Sequence, residues 1–134
     1  MSPSMFDTDI LSEFLRGNTK VVKNVDEYLK EFGIISLSII TYYEILNGLL
    51  YKDAKKQLKK FENFIVLNNV LLLTLKSTKL AANIQAELRK KGREIGHADT
   101  LIAGIAIANK LQFVINNTNH FKRIKGLEIA NWSK

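Results

Sequence analysis

Short apolar runs alternate with longer segments of helical character along most of this chain of 134 residues. The apolar runs are typical of buried strands, and the longer segments carry apolar residues three or four positions apart, as one face of a helix does. Strands that alternate with helices are joined by right-handed crossovers, which set the strands parallel in a single sheet. The alternation therefore predicts an α/β fold, and the chain length suits one domain that spans residues 1–134.

Four apolar runs and a weaker fifth run are the predicted strands. They lie at residues 3–6, 34–37, 70–73 and 112–115, with a possible edge strand at 127–129. The predicted helices are one that Thr8 or Asp9 caps and Gly17 stops, one at about 19–31, one that ends at Leu50, one from its cap Asp53 to about Asn63, one from its cap Ser77 to Gly92, and one at 98–108.

Three acidic residues stand close to predicted strand ends or helix starts. Asp7 follows the first strand, Glu44 follows the second, and Asp99 opens the very apolar helix at 98–108. In an open α/β fold the carboxyl ends of the strands share one edge of the sheet, where ligands bind. Three carboxylates that converge there would repel one another unless a cation joins them, and hard divalent cations take oxygen ligands. The pattern favours a metal site formed by these three acids.

Each of the three acids also has a structural alternative. Asp7 can cap the first helix together with Thr8, and a negative charge such as Asp99 in a first helical turn is stabilised by the helix dipole. Thr41 and Glu44 fit a capping box, in which the Glu side chain reaches back to the N–H of the cap residue. Taken singly, each acid favours a structural role, whereas all three at one sheet edge favour a shared site.

Hydrolysis of a phosphodiester is the chemistry that such a site suits. The reaction places charge on the attacking and leaving oxygens, which divalent ions can bear while they lower the pKa of a bound water. The sequence contains no phosphate-binding glycine loop, no dinucleotide fingerprint and no serine-hydrolase elbow. His97 lies two residues before Asp99, so a role near the site stays open, whereas His120 suits an exposed or packing position.

The composition is basic and lacks cysteine. A formal net charge of +7 favours an anionic partner such as nucleic acid, although a solvated, lysine-rich surface explains it equally well. The lack of cysteine excludes thiolate metal sites and favours a reducing, cytoplasmic setting. No apolar run approaches the length of a membrane span, and the N-terminus lacks a signal-peptide pattern, so we expect a cytoplasmic protein without membrane contact. One basic cluster is expected on the outside of a helix: Lys52, Lys55, Lys56, Lys59 and Lys60.

Four short motifs follow one another in a specific order over almost the whole chain. They are Phe6–Glu13, Ser38–Gly48, Ala86–Gly92 with Asp99–Ala103, and Val114–Phe121 with Gly126–Leu127 and Asn131–Trp132. Each motif is short, but the ordered set resembles that of a PIN domain, and specifically of a VapC-type toxin of the VapBC toxin–antitoxin systems.

The resemblance implies a three-layer α/β/α sandwich with a central, mainly parallel sheet of about five strands. It also implies an endoribonuclease that depends on Mg²⁺ or Mn²⁺, acts on RNA and forms a homodimer. A small VapB-type antitoxin would cover its active site, and operator DNA would be bound only through that antitoxin. Asp7, Glu44 and Asp99 match the family's three core acids, which hold the metal, and Thr8 matches a hydroxyl residue that binds metal-linked water or substrate.

Some positions depart from the family pattern. Asn117 stands where the fourth catalytic acid is often Asp, so it would serve as a neutral ligand for water or phosphate. Ile115 stands where Thr or Ser is common, which removes a polar contact. Asp9 replaces the more common Asn, and both Asp9 and Asn116 are further candidates for binding substrate or water.

Three other functions were weighed against the metal-dependent toxin. A non-catalytic PIN-like module that binds RNA or protein would be consistent with Asn117 and Ile115. A nuclease that processes precursor RNA would share all of the chemistry. A phospho-receiver domain needs an acid at the end of its central strand, and the run Leu71–Leu75, interpreted as that strand, contains none.

Overall fold

The computed structural model describes residues 1–116 and 121–132, in which one sheet is covered by helices on both faces. The strands are β1 (Ser4–Phe6), β2 (Ser36–Ser38), β3 (Asn69–Leu71), β4 (Gln112–Ile115) and β5 (Ile129–Asn131). The helices are α1 (Thr8–Leu15), α2 (Thr19–Phe32), α3 (Ile39–Tyr51), α4 (Lys55–Leu67), α5 (Leu75–Lys90) and α6 (His97–Ala108), with a 3₁₀ turn at Phe121–Arg123.

The five strands are all parallel and lie in the order β3-β2-β1-β4-β5. The central strand is β1, which pairs with β2 on one side and with β4 on the other. The chain first moves outward from β1 to β3 and then crosses to the opposite side with β4, so the winding direction reverses between β1 and β4. A crevice opens outside the carboxyl ends of two strands at such a switch point. Asp7 and Asn116 directly follow these two strands and therefore lie at the crevice.

Neighbouring residues of the two central strands point into opposite layers. Met5 and Phe113 are paired in register and belong to a core cluster with the inward faces of α5 and α6. The next pair, Phe6 and Val114, belongs to a second cluster with α1, α2, α3 and α4. This alternation is what a sheet buried on both faces requires, and it confirms the predicted three-layer sandwich with a five-stranded parallel sheet.

The strand positions agree with the sequence pattern to within two residues. β4 has the predicted bounds, whereas β2 and β5 begin two residues later than predicted and β3 begins one residue earlier. The later start of β2 has a local cause, because the Ile35 N–H donates to Oδ1 of Asn68 rather than to a neighbouring strand. The run from Leu71 was wrongly interpreted as the central strand, since β3 lies at the edge of the sheet.

Three predicted helix caps are wrong. The cap position of α1 is Asp7, rather than Thr8 or Asp9. Asp53 has a left-handed backbone with φ 52°, and the residue that caps α4 is Ala54, which has no side-chain hydrogen bond to offer. Ser77 lies inside α5, where its hydroxyl accepts from the N–H of Thr74, and Oγ1 of Thr74 accepts from the N–H of Ser77. Ser and Thr both suit a cap, so the sequence pattern did not distinguish Ser77 from the true cap, Thr74. Within residues 1–116 and 121–132, no helix combines the length and apolar character needed to cross a bilayer.

The contact between α5 and α6 depends on Gly104. A Cβ at this position would overlap the carbonyl oxygen of Ser77 and lie 3.0 Å from the Cβ of Ala81. Because crowding in a packed core forces the backbone to shift, we expect Gly104→Ala to lower the free energy of unfolding by about 1–3 kcal/mol, as measured by urea denaturation. The matched control is Gly48→Ala on α3, where a Cβ meets no atom within 4 Å. Equal stabilities of the two variants would contradict this account of the packing.

Candidate active site

Five acidic side chains line one open cleft at the switch point of the sheet. The cleft has a volume of about 510 Å³. Its lining residues are Asp7, Thr8, Asp9, Ser12, Glu13, Arg16, Glu44, Asp99 and Asn116. The structure thus brings together the three acids that the sequence singled out, although they come from three different segments of the chain.

Asp7 occupies the position where β1 turns into α1. Its backbone is extended, with φ −78° and ψ 167°, and its N–H donates to the carbonyl of Val114 at 2.9 Å. This bond continues the pairing of β1 with β4 by one residue and fixes Asp7 at the carboxyl end of the sheet. Asp7 occupies the cap position of α1, as the structural alternative predicted, but its side chain makes no capping hydrogen bond to the helix.

The Asp7 carboxyl group carries the clearest electrostatic signature of the cleft. Its pKa is raised from 3.8 to about 8, first by burial and then by the negative charges of Asp9, Glu44 and Asp99, against a lowering effect of the Thr8 backbone N–H. A buried carboxyl group with acidic neighbours is a candidate for a functional site, because a cation bound there would offset the repulsion.

Glu44 is held by a hydroxyl group of another helix. Oγ1 of Thr8 on α1 donates to Oε1 of Glu44 on α3 at 2.5 Å, and the Thr41 hydroxyl lies 3.2 Å from the Thr8 hydroxyl. The predicted capping box of Thr41 and Glu44 is wrong, because Ser38 caps α3 by accepting from the Thr41 N–H at 3.0 Å. Glu44 has no capping role, and its carboxylate is oriented toward the cleft by Thr8.

Asp99 approaches the cleft from the opposite layer of the sandwich. It lies in the first turn of α6, after the cap residue Gly96. A Cβ at Gly96 would lie 3.9 Å from Oδ2 of Asp99, so the loop passes close to this carboxylate. The first-turn position also suits the helix dipole, as the sequence indicated. Both roles are compatible, since the same carboxylate raises the pKa of Asp7.

Glu13 is a member of the cleft that the sequence analysis missed. Oε1 accepts from Nδ2 of Asn116 at 3.2 Å, whereas the buried Oε2 has no hydrogen-bond partner among the described residues. The Asn116 carbonyl in turn accepts from Nδ2 of Asn131 at 2.8 Å. The spacing of Asp9 and Glu13 is the signal that could have identified Glu13. Residues four apart lie on one face of a helix, where two like charges are unfavourable. Such a pair therefore indicates a site at which a ligand offsets the repulsion.

Three other predicted positions have different outcomes. Asn117 and His120 lie outside the described residues. Ile115 is fully buried in the core cluster of α5 and α6, so it makes no polar contact at the cleft. His97 is exposed and lines a separate cleft between α5 and α6, and its carbonyl accepts from the Thr100 hydroxyl at 2.8 Å. His97 therefore does not line the acidic cleft.

The donor set of the cleft suits a hard divalent cation. Its side chains offer carboxylate, hydroxyl and amide oxygens, which are the ligands of Mg²⁺ and Mn²⁺, and Oε2 of Glu13 is buried without a partner among the described residues. Within that same part of the chain, no three His, Asp or Glu side chains are placed to bind one ion together. Mg²⁺ retains several waters and usually needs one or two carboxylates, so this arrangement fits an ion bound partly through water.

The fold and the cleft define an α/β protein whose carboxylates gather at the switch point of a parallel sheet. Residues 4–127 match the family of the PIN domain. The chain belongs to the PIN-domain family, and its relatives are of the VapC type, as the sequence motifs indicated.

Three similar proteins show how closely the chain follows this group. Ribonuclease VapC2 of Rickettsia felis is 32% identical, and the alignment covers 97% of this chain and 98% of that protein. The tRNA(fMet)-specific endonuclease VapC of Salmonella typhimurium is 33% identical over 83% of this chain and 89% of its own length. Among solved structures, VapBC2 of Rickettsia felis bound to a DNA fragment from its promoter superposes with a TM-score of 0.86 at 30% identity, covering 96% of this chain and 98% of the matched chain.

Proposed function

We propose that this protein is an endoribonuclease that hydrolyses RNA phosphodiester bonds and acts as the toxin of a type II toxin–antitoxin pair. The observation that carries this proposal is the convergence of Asp7, Glu44 and Asp99, from three segments of the chain, in one cleft at the switch point. Burial and the neighbouring charges raise the pKa of the Asp7 carboxyl group there. The resemblance to the family places the nuclease acids at this position. Neighbouring carboxylates repel one another, and a bound cation would offset this repulsion.

Asp7, Glu44 and Asp99 are the residues proposed to hold Mg²⁺ or Mn²⁺, partly through waters that the ion retains. A divalent ion at this position would bear charge on the phosphate oxygens and lower the pKa of the attacking water. The Thr8 hydroxyl fixes the Glu44 carboxylate by its hydrogen bond of 2.5 Å. Asn116 positions Glu13, and Asp9 adds negative charge beside Asp7.

In the proposed reaction the side chains orient a water molecule, and this water attacks the scissile phosphorus. The carboxylates align a water with the scissile phosphorus, and one of them accepts the proton of this water as the new P–O bond forms. The bond to the leaving ribose oxygen breaks, and that oxygen takes a proton from solvent. Asn117, which lies outside the described residues, is proposed as a neutral contact for water or phosphate in place of a fourth carboxylate.

The proposed partners follow the chemistry of the relatives. A relative is named for cleavage of tRNA(fMet), so RNA is the proposed substrate class. A solved relative contains both VapB and VapC with promoter DNA, so we propose a small antitoxin that covers the cleft and binds operator DNA. We further propose that residues 1–134 form a single domain, that two copies form a homodimer, and that the protein acts in the cytoplasm.

The central strand is β1 and is followed directly by Asp7, so an acid stands where a phospho-receiver domain needs one. The prediction that the central strand ends without an acid was wrong. Membership of the PIN-domain family is the finding that excludes a phospho-receiver function. An RNA-processing nuclease would use the same site, and the whole-length match to VapC-type relatives favours the toxin.

The toxin proposal is tested by induced expression in a bacterial host, comparing the parent with Glu44→Gln at equal protein levels. This substitution retains the size of the side chain and removes the charge that Thr8 orients. We expect the parent to arrest growth and fragment cellular RNA, and the variant to do neither. Arrest by both proteins, or intact RNA in arrested cells, would contradict the proposal.

A further inference from the structure

A second cleft adjoins the acidic one. It has a volume of about 280 Å³ and lies between α1, α3 and α4. The residues that line both clefts are Thr8, Ser12, Arg16 and Glu44. The two clefts are therefore continuous. When one phosphate of an RNA strand lies at the carboxylates, the adjacent nucleotide lies at the mouth of the second cleft.

The floor of the second cleft is apolar. Leu15 of α1 and Ile45 and Leu49 of α3 supply its surface. Gly48 lies among them, and a Cβ there would meet no atom within 4 Å, so the missing side chain adds open space. Clefts that hold drug-sized ligands have volumes of about 300–1,000 Å³, and this smaller one suits a flat group of one ring system.

The rim of the second cleft is basic, in contrast to the acidic cleft beside it. Arg16, Lys52 and Lys60 line it, and all three are exposed. Nζ of Lys60 donates to the carbonyl of Leu15 at 3.0 Å, which holds this ammonium group at the end of α1. Cations around an apolar floor are complementary to a flat base that is flanked by backbone phosphates.

We propose that the second cleft binds the nucleobase adjacent to the scissile phosphate of a single-stranded RNA segment, with Arg16, Lys52 and Lys60 facing the flanking phosphates. This proposal rests on the proposed ribonuclease function. It assigns base selection to the floor residues around Gly48, and it separates that role from the carboxylates that perform the chemistry.

The test uses a short oligoribonucleotide that the parent cuts at one position, together with two versions in which the nucleotide on either side of the cut lacks its base. For the parent, we expect removal of one of these two bases to slow cleavage by about 10–200-fold, as loss of a group from an apolar pocket does. The variant Gly48→Leu fills the cleft. We expect it to cut the intact RNA slowly and to be insensitive to removal of that base.

Two controls keep the outcomes separate. Asn47→Leu adds a leucine side chain at an exposed position of the same helix that lines neither cleft, and it should cut at the parent rate. Urea denaturation checks that each variant is folded. If the parent cuts no RNA, the ribonuclease function fails. If Gly48→Leu cuts the intact RNA and both base-lacking RNAs at the rates of the parent, the base pocket is overturned and the ribonuclease function stands. The cleft then belongs to another occupant, such as a segment of a partner protein.

A second measurement tests the rim without filling the cleft. Lys52→Gln removes one exposed charge, and we expect the slope of log binding affinity against log salt to decrease in magnitude by about 0.7, the value for one phosphate contact on a single strand. The matched control is Lys79→Gln, an exposed lysine of α5 that lines neither cleft. An identical slope for the parent and Lys52→Gln would overturn the phosphate contact at this residue.

Discussion

Asp7→Asn is expected to lower the rate of RNA cleavage by at least about 100-fold, because mutation of groups that merely support metal ligands already costs about 10–100-fold. The substitution preserves the shape of the side chain and the N–H bond from Asp7 to the Val114 carbonyl. It removes the carboxylate that the fold has buried at the switch point, and with it the charge that binds the cation. The measurement is single-turnover cleavage of a labelled RNA with saturating Mn²⁺.

The matched control for this prediction is Asp26→Asn. Asp26 is an exposed residue of α2 that does not line the acidic cleft, so the variant makes the same change of net charge at a distance from the site. We expect it to cut at the parent rate. If Asp7→Asn cuts as fast as Asp26→Asn, the carboxylate of Asp7 has no part in the reaction.

The second large effect is an unusual pH dependence of stability without a divalent cation. Since the folded-state pKa of Asp7 is raised from 3.8 to about 8, the folded chain binds a proton that the unfolded chain has lost between these pH values. The contribution of Asp7 to the free energy of unfolding is therefore complete below pH 4 and is lost as the pH rises toward 8.

This effect is measured as a difference between two proteins. We expect Asp7→Asn to gain stability relative to the parent as the pH rises from 5 to 8 in EDTA, by at least the roughly 1.4 kcal/mol that corresponds to one pKa unit. Saturating Mn²⁺ should stabilise the parent and leave the variant almost unchanged. A difference between the two proteins that is constant over this pH range would show that the Asp7 carboxylate is already neutralised within the protein.

The sequence predicted the features that depend on periodicity and on position along the chain. The alternation of apolar runs and helical segments indicates the parallel sheet, and the positions of Asp7, Glu44 and Asp99 in the chain predict the shared edge at which the structure has them. That inference needed only the rule that the carboxyl ends of parallel strands meet. It succeeded for Asp99 as well, even though Asp99 belongs to a helix that precedes its strand.

The features that the sequence did not predict depend on contacts between distant segments. Thr8 on α1 orients Glu44 on α3, and Asn116, which directly follows β4, reaches Glu13 on α1. Neither contact leaves a local pattern in the sequence. The order of the strands was also hidden, because a run of apolar residues looks the same in an edge strand such as β3 and in a central one. Caps were ambiguous where two suitable residues stood three apart, as Thr74 and Ser77 do.

The most direct test of the central claim is cleavage of a labelled total-RNA pool in Mg²⁺, Mn²⁺ or EDTA, comparing the parent with Asp99→Asn. Our account predicts fragments from the parent with either metal, none in EDTA, and none from Asp99→Asn, which keeps the first turn of α6 and loses its charge. Cleavage that survives in EDTA or in the variant would contradict a metal-dependent site at these acids. Absence of cleavage by a folded parent that still binds RNA would contradict the ribonuclease function and favour a binding module.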